Sequence, residues 1–313
     1  IIIYKSMIIL SINISHKPSV CVYENNKIIE FYNEERFVVT KDYVLNSKLE
    51  IFQCILQKIK YKPDFVCYTS FGMNNQYFSY SDEEIINIIQ KQLNNPSYYF
   101  NIKEHHLYHA ICSFYFSPFK EAAAIVVDGG GACNYYIPFQ EIESIYRIDE
   151  KKITPIYKHH SCWRTKKIIE QPGNSFSTKK YLNGFLNKFS DETKGGIDFI
   201  IACEQIGYPN GNSSGKVMGL SSYGYTEKKY HLDYDKVQIA REVQEKTFKD
   251  TCDLIDQAKE INNNIVLSGG YFLNCSNNFK YVEKYPNLNF FVDPIPHDGG
   301  TAIGAALYYD NYR

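Results

Sequence analysis

The sequence predicts an α/β protein in which two lobes face a central cleft. A strand meander followed by helix, strand and helix occurs twice along the chain, with no low-complexity linker between the copies. In addition, three predicted strands each end in a glycine-rich turn that opens a helix. The 313 residues suffice for two such units, which we place at residues 1–118 (lobe I) and 119–313 (lobe II).

Lobe I begins with three β-rich runs that form a predicted meander, with Asn25 and Asn26 in one of its turns. Apolar residues at helical spacing predict a helix over residues 45–59, and capping residues open a second helix at residues 81–84. A third helix is predicted over residues 105–116. The strands of lobe I are predicted at residues 8–14, 20–23, 28–32, 65–68 and 98–102.

Lobe II repeats this order and adds one long polar stretch. Residues 151–196 are polar and irregular, so we expect an insertion or mobile loops there. The strands are predicted at residues 122–127, 134–138, 144–148, 264–267 and 288–292. The helices are predicted at residues 197–206, 217–221, 235–261 and 301–309, with a further helix opening at Gly269 and Gly270.

Charge and cysteine content argue against several classes of function. A net charge of −1 predicts neither nucleic-acid nor membrane binding. Nine widely spaced cysteines without a C-x-x-C pair argue against a disulfide framework and against a cysteine-ligated zinc. No apolar run reaches the roughly 18 residues that span a bilayer. We therefore expect a cytoplasmic protein with no membrane partner.

One predicted helix carries two histidines at metal-ligand spacing. His105 and His109 are four residues apart, which puts both imidazoles on one face of the helix and suits a shared ion. Asp128 and Asp298 each follow a predicted strand and complete a candidate set of four ligands. Such a set suits a borderline divalent ion such as Fe(II), Zn or Mn. A lone histidine would be better explained by packing or capping, and His106 points elsewhere and stays outside the set.

Glycine-rich turns follow three predicted strands. Each places glycine where a backbone can approach a phosphate closely, and each precedes a helix N-terminus, which attracts anions. Any one of them would pass for an ordinary turn, whereas three in one chain favour a nucleotide or phosphate site. The candidate residues are Asp128, Gly129, Gly130 and Gly131 in the first turn, Gly269, Gly270 and Asn274 in the second, and Asp298, Gly299 and Gly300 in the third.

The N-terminal hairpin offers two further candidates. His16 follows the first strand and could act as a general base. Lys41 could hold a phosphate or a carbonyl oxygen. By themselves, both residue types are more often solvated at the surface.

Together these motifs resemble the O-carbamoyltransferases of the nodulation-protein and the cephamycin or aminoglycoside antibiotic type. The matching segments, in the order of the family, are EERF at 34–37, HHLYHA at 105–110, DGGG at 128–131, GKVMGLSSYG at 215–224, SGGYFLN at 268–274 and HDGGTAIGAAL at 297–307. The resemblance implies an actin-like, sugar-kinase-like fold. It also implies that carbamoyl phosphate and ATP form carbamoyl adenylate, whose carbamoyl group then passes to an acceptor hydroxyl.

The resemblance further implies roles for individual residues. The family's metal ligands, with iron as the usual ion, are matched by His105, His109, Asp128 and Asp298. Contacts to ATP or carbamoyl adenylate are matched by Lys41, Asp128, Gly129, Gly130, Gly131, Gly269, Gly270 and Asn274. The catalytic N-terminal histidine of the family is matched by His16.

Three positions depart from the family pattern. Lys17 stands where the family has aspartate, Ser214 where an acidic residue is common, and Ala132 where a glutamate follows the glycine turn. Acceptor recognition is therefore open: a small sugar or antibiotic-like alcohol is the family default, and a 5-hydroxymethylpyrimidine, free or in viral DNA, is a second option. Family members also carry a C-terminal adenylate-forming domain. We do not expect that domain within residues 1–313: it is absent, or a separate adenylate-forming protein is the partner that supplies carbamoyl adenylate, or the sequence is truncated before it.

Two other functions remain open. A kinase or ATPase of the same fold would hold Mg²⁺ largely through carboxylates and water, so the histidine pair argues against it. A non-catalytic nucleotide-binding module that regulates a partner would not need four candidate ligands.

Overall fold

The computed structural model describes residues 7–15, 17–36, 56–70, 82–94, 96–100, 104–131, 139–162, 177–208, 213–225 and 234–313. Within these ranges the chain forms two β-sheets and a set of helices, which confirms the predicted α/β class. No helix in the same ranges is both long and apolar enough to cross a membrane.

The first sheet has five strands: β1 (Ile8–Asn13), β2 (Ser19–Glu24), β3 (Lys27–Asn33), β4 (Phe65–Thr69) and β5 (Ser97–Phe100). Their order is β3-β2-β1-β4-β5. The first three form the predicted antiparallel meander, and β4 and β5 continue the sheet in parallel. Asn25 and Asn26 turn between β2 and β3 with φ of 51° and 60°, a conformation that asparagine tolerates in two-residue hairpins.

The second sheet has seven strands: β6 (Glu121–Val127), β7 (Gln140–Asp149), β8 (Ile153–Ser161), β9 (Ser177–Leu182), β10 (Phe185–Ser190), β11 (Asn264–Ser268) and β12 (Asn289–Val292). Their order is β12-β11-β6-β7-β8-β10-β9. Strands β6, β11 and β12 run parallel, and β7 pairs antiparallel with both β6 and β8. The carboxyl ends of β6 and β11 therefore lie side by side, where two of the glycine turns begin.

The prediction of irregular structure over residues 151–196 is wrong for residues 153–161, 177–182 and 185–190, where β8, β9 and β10 extend the second sheet, and residues 163–176 lie outside the described residues. β9 is an edge strand whose side chains are mostly exposed, so its sequence STKKYL shows no apolar alternation. β7 also begins earlier than predicted, at Gln140. The prediction missed its first residues because several of them are polar although they are buried. Glu143 Oε2, for example, lies 3.0 Å from His159 Nδ1 on β8. The strand predicted at 134–138 and most of the helix predicted at 45–59 lie outside the described residues.

The α-helices of the described ranges are α1 (Asp82–Gln92), α2 (His105–Phe116), α3 (Gly196–Ile206), α4 (Ser214–Ser221), α5 (Tyr234–Ala258), α6 (Cys275–Lys284) and α7 (Thr301–Asn311). Short 3-10 turns occur at Glu34–Arg36, Ser222–Tyr225, Gly270–Leu273 and Asp298–Gly300. The helices predicted from residues 105, 197, 235 and 301 onward are confirmed to within a few residues. The helix predicted to open at Gly269 and Gly270 begins instead as a 3-10 turn, and α6 follows it after Asn274.

Helices α2 and α7 pack against each other between the two sheets. One apolar cluster joins both sheets and both helices through residues that include Ile9 of β1, Ala124 of β6, Ile111 of α2 and Ile303 of α7. Gly304 permits the close approach, since a Cβ there would lie 2.6 Å from the carbonyl carbon of Tyr108 and 2.7 Å from its Cα. α7 thus follows the second sheet in sequence and packs on the first. The lobe boundary at residues 118 and 119 falls between α2 and β6 and stays a prediction.

Candidate metal centre

Four side chains meet in one buried cluster: His105, His109, Asp128 and Asp298. Their candidate ligand atoms all lie within 4.8 Å of one another. His105 Nε2 lies 3.2 Å from His109 Nε2 and 3.3 Å from Asp128 Oδ2. Asp298 Oδ1 lies 3.7 Å from His105 Nε2 and 3.9 Å from His109 Nε2. The fold thus brings together the four residues that the sequence predicts as metal ligands.

Local structure positions each member of the cluster. α2 begins at His105, and His109 lies one turn later on the same face of the helix. Asp128 directly follows β6 at the carboxyl end of that strand. Asp298 opens the 3-10 turn that leads into α7. One helix, one strand end and one helix start therefore converge on the same point.

The turn that carries Asp298 is also fastened to the first sheet. Asn13 Nδ2, at the end of β1, donates a hydrogen bond to the Asp298 carbonyl oxygen at 3.0 Å. Ser19 Oγ, at the start of β2, donates to the Gly299 carbonyl oxygen at 2.7 Å. Asp128 follows β6 of the second sheet, so one carboxylate of the cluster is supported by each sheet.

Burial and neighbouring charges set the protonation of the cluster. Removal from water, together with the neighbouring His105, lowers the pKa of His109 to about 3. Burial and Asp298 act to raise the pKa of Asp128, but the hydrogen bond with His105 and the two imidazoles lower it on balance. Neutral imidazole and ionised carboxylate are the forms that bind a metal ion.

The geometry of the cluster fits one divalent ion. Bonds of about 2.0–2.2 Å from zinc to nitrogen or oxygen place neighbouring ligand atoms roughly 3 to 3.5 Å apart. The five distances that involve an imidazole nitrogen, 3.2 to 3.9 Å, are close to that spacing, and all four ligand atoms lie within 4.8 Å of one another. Two imidazole nitrogens and two carboxylates are also a donor set that suits Fe(II), Zn or Mn. The residues present could therefore hold such an ion.

A serine and a buried aspartate orient the His109 ring. Ser268 Oγ donates to Asp293 Oδ2 at 2.7 Å, so its remaining role toward His109 is to accept. His109 Nδ1 lies 3.4 Å from Ser268 Oγ and is thereby assigned the ring proton. Nε2 therefore keeps its lone pair and points into the cluster. In metal sites, a hydrogen-bond partner on the other ring nitrogen usually fixes the tautomer of a metal-bound histidine in this way.

We expect Asp293 to make the free energy of unfolding depend on pH. Burial raises the pKa of this carboxyl to about 6, whereas an exposed aspartate titrates near 3.9. Between about pH 4 and 6 the folded protein therefore keeps a proton that the unfolded chain releases, so the free energy of unfolding falls as the pH rises. Over this range we expect the free energy of unfolding of the metal-free wild type to fall by about 2 kcal/mol relative to that of Asp293→Asn.

Urea unfolding of both proteins at half-unit steps from pH 4 to pH 7, after treatment with a chelator, measures this difference. Titrations shared by the two proteins, including those of the buried histidines, cancel in the comparison. Parallel curves for wild type and Asp293→Asn would contradict the assignment of a raised pKa to Asp293.

Asp128 also ties two glycine turns together. Its second oxygen, Oδ1, accepts from Gly129 N at 2.7 Å and from Gly270 N at 3.2 Å. The strands end so close together that a Cβ at Gly269 would lie 2.7 Å from the carbonyl carbon of Val127, and Gly269 adopts a φ of 98°, which favours glycine. Glycine turns at the carboxyl ends of two parallel strands are where α/β folds bind phosphate groups.

The remaining predicted site residues lie in different surroundings. Asn274 is buried and caps α6: its Oδ1 accepts from Asn277 N at 3.2 Å and from Gln244 Nε2 at 3.0 Å. The amide is thus engaged within the protein, and its contact with a nucleotide stays a prediction. His16 and Lys41 lie outside the described residues.

A second buried network next to the cluster was not predicted. His106 Nδ1 lies 2.9 Å from Ser144 Oγ, which donates to Glu141 Oε1 at 2.5 Å, and Lys158 Nζ lies 3.1 Å from the same carboxylate oxygen. Burial opposes ionisation of Glu141, but Lys158 lowers its pKa, to about 2 overall. In the sequence, the only indication of this network is that the polar residues Gln140 and Glu141 are adjacent. That they lie beside α2 follows from the fold.

Known proteins have similar sequences. The family described as Carbamoyltransferase N-terminus matches residues 21–236 and 231–307. The uncharacterized protein MJ1051 of Methanocaldococcus jannaschii is 28% identical over 332 residues, an alignment that covers 96% of this chain and 56% of that protein. The chain therefore spans about half the length of this curated relative.

Solved structures show the same fold. Full-length HypF in its phosphate- and nucleotide-bound form matches with a TM-score of 0.55 and 17% identity, over 98% of this chain and 56% of the HypF chain. Component A of the (R)-2-hydroxyglutaryl-CoA dehydratase of Acidaminococcus fermentans matches with a TM-score of 0.51 and 10% identity, over 96% of this chain and 97% of that one. At these identities the likeness concerns the fold alone. It confirms the predicted two-lobed, actin-like and sugar-kinase-like architecture.

Proposed function

Because the chain belongs to the carbamoyltransferase family, whose N-terminal domain it matches, we propose that it transfers a carbamoyl group from carbamoyl adenylate to an acceptor hydroxyl. The observation that carries the proposal is the buried cluster of His105, His109, Asp128 and Asp298 beside the glycine turns. We propose that these four side chains bind one divalent ion. Fe(II) is our first choice from the resemblance to O-carbamoyltransferases, and the donor set agrees with it.

Each part of the site would have a separate task. A bound divalent ion would supply a Lewis acid that polarises a carbonyl or phosphoryl oxygen. The glycine turns would hold the phosphate of the adenylate, and Lys41 would neutralise that phosphate or the carbonyl oxygen. His16 would take the proton of the acceptor hydroxyl while the acceptor oxygen bonds to the carbamoyl carbon. The bond between that carbon and the phosphate oxygen breaks, and AMP leaves.

We further propose that carbamoyl adenylate reaches this site from a separate adenylate-forming domain or protein, which uses carbamoyl phosphate and ATP. The motifs of residues 1–313 account for transfer and for a phosphate site but not for adenylate formation. For the acceptor, we propose a small sugar or antibiotic-like alcohol. A 5-hydroxymethylpyrimidine in viral DNA is the second class to test.

We expect residues 1–313 to use preformed carbamoyl adenylate and to make it poorly from carbamoyl phosphate and ATP. The protein, loaded with Fe(II) without oxygen, is given either donor system and a panel of acceptors: an aminoglycoside, a cephem alcohol and 5-hydroxymethylcytidine. Mass spectrometry detects the carbamoylated product, and AMP and pyrophosphate are quantified. Asp298→Asn serves as the inactive control. Efficient pyrophosphate formation by this chain alone would contradict the proposed division of labour.

The same assay separates carbamoyl transfer from phosphoryl transfer. A kinase or ATPase would release ADP, and a kinase would add phosphate to the acceptor, whereas carbamoyl transfer releases AMP from the adenylate. Two of the four candidate ligands are imidazoles, which Mg²⁺ rarely takes in place of oxygen ligands. A non-catalytic module would bind nucleotide and give no product with any donor.

A further inference from the structure

The edge of the His106 imidazole that carries Nε2 faces the first glycine turn. His106 is fully buried on α2. A Cβ at Gly131 would lie 2.6 Å from His106 Cδ2 and 2.7 Å from His106 Nε2, so a side chain at this position would fill the space beside Nε2. The His106 ring centroid lies 6.1 Å from that of His105 and 6.5 Å from that of His109. His106 is thus a neighbour of the candidate metal cluster and not one of its members.

Hydrogen bonding assigns the ring proton of His106. Ser144 gives its hydroxyl proton to Glu141 Oε1, and Lys158 stabilises that carboxylate as an ion. Toward His106 Nδ1, at 2.9 Å, the Ser144 oxygen can therefore only accept. The proton resides on Nδ1, and Nε2 presents a lone pair. His109 is arranged in the same way, by Ser268 and Asp293.

Two buried acceptor atoms at this turn have no hydrogen-bond partner within the described part of the chain: His106 Nε2 and Gln140 Oε1. Gln140 lies against Gly130, as His106 lies against Gly131. A buried acceptor without a donor is costly, and native proteins keep one mainly where a ligand or a water molecule completes the bond. Both atoms require a group that donates hydrogen bonds.

We propose that His106 Nε2 and Gln140 Oε1 bind the NH₂ group of the transferred carbamoyl unit and so select carbamoyl against acyl groups of the same shape. This inference rests on the proposed function. A carbamoyl NH₂ carries two N–H donors, which match the two acceptors, whereas an acetyl group offers a methyl group at the same place. A site built to hydrogen-bond a substrate group rejects the analogue that lacks it, because the buried atoms of the site are then left unmatched.

The test compares two non-reacting ligands: a sulfamoyl analogue of carbamoyl adenylate and its acetyl counterpart, in which CH₃ replaces NH₂. Dissociation constants are measured by calorimetry on the metal-loaded protein, and the metal content of every variant is determined. We expect wild type to prefer the carbamoyl analogue at least about tenfold. His106→Leu should abolish this preference at unchanged metal content. His160→Leu, the matched control, removes a ring that stacks on Phe189 and should keep the preference.

Gln140→Leu removes the second acceptor and carries the same expectation, so the inference stays testable even where His106→Leu does not fold. Equal binding of both analogues by wild type would overturn the inference. So would a preference that persists in both variants, which would mean that water completes the two acceptors. Failure of the proposed function has a different signature: wild type then binds neither analogue, and the inference falls with it.

Discussion

Replacing His109 with alanine is expected to lower the affinity for a divalent ion by more than about 100-fold and to abolish carbamoyl transfer. Loss of a partner behind a metal ligand already costs roughly 10- to 100-fold in affinity or activity. His109 is a candidate ligand itself, with Nε2 3.2 Å from His105 Nε2 and 3.8 Å from Asp128 Oδ2. The substitution would leave one imidazole and two carboxylates, so that a water molecule would have to replace the lost fourth ligand.

Metal content after dialysis against a graded series of chelator concentrations measures the first effect, and single-turnover transfer from preformed carbamoyl adenylate measures the second. His160→Ala is the matched control, because this half-buried histidine lies on β8 and outside the cluster. Thermal unfolding of both variants separates loss of the ion from loss of the fold. A His109→Ala protein that retains its ion and its turnover would show that the cluster is not the metal site.

Gly304→Val is expected to lower the free energy of unfolding by more than about 3 kcal/mol, at the upper end of what overpacking costs. The reason is that the added Cβ would meet the backbone of Tyr108, with the carbonyl carbon at 2.6 Å, and a backbone in the middle of a buried helix cannot turn away as a side chain can. Helices α2 and α7 would have to separate. Since α2 carries His105 and His109 and α7 follows Asp298, metal affinity should fall as well.

Gly219→Val is the matched control, because Gly219 lies in α4 at a place where an added Cβ would meet open space. There the change from glycine to valine should alter stability by only about 0.5 kcal/mol, the difference in helix propensity. Chemical denaturation of both variants provides the comparison. Equal stability of the two would show that the α2 and α7 backbones are not in close contact.

Much of the fold could be predicted from the sequence because the information is local. The run AAAIVV at 122–127 marks β6, and apolar spacing with a terminal glycine turn marks the long helices. β8 to β10 could not be predicted in this way. Their polar residues are either exposed at a sheet edge or paired across strands, as Lys158 of β8 is with Glu141 of β7. Such pairs can be recognised only once the strands are aligned.

The candidate site shows the same contrast. His105 and His109 could be predicted as a pair from helical spacing alone. Asp298 is far from them in the sequence, and it could be predicted as a third ligand only from its position after a strand and from the family resemblance. The serines that assign the imidazole protons, Ser144 and Ser268, could not be predicted, because a serine in a buried strand carries no local mark of the ring it will face.

The hydrogen bonds from Asn13 and Ser19 join the Asp298 turn to the first sheet, whereas Asp128 follows β6 of the second sheet. The two carboxylates of the cluster are therefore supported by different sheets. An ion bound by both carboxylates would link these two supports. By reciprocal linkage, a ligand whose binding depends on the same arrangement of the two sheets would raise the affinity for the ion by the factor by which the ion raises the affinity for that ligand.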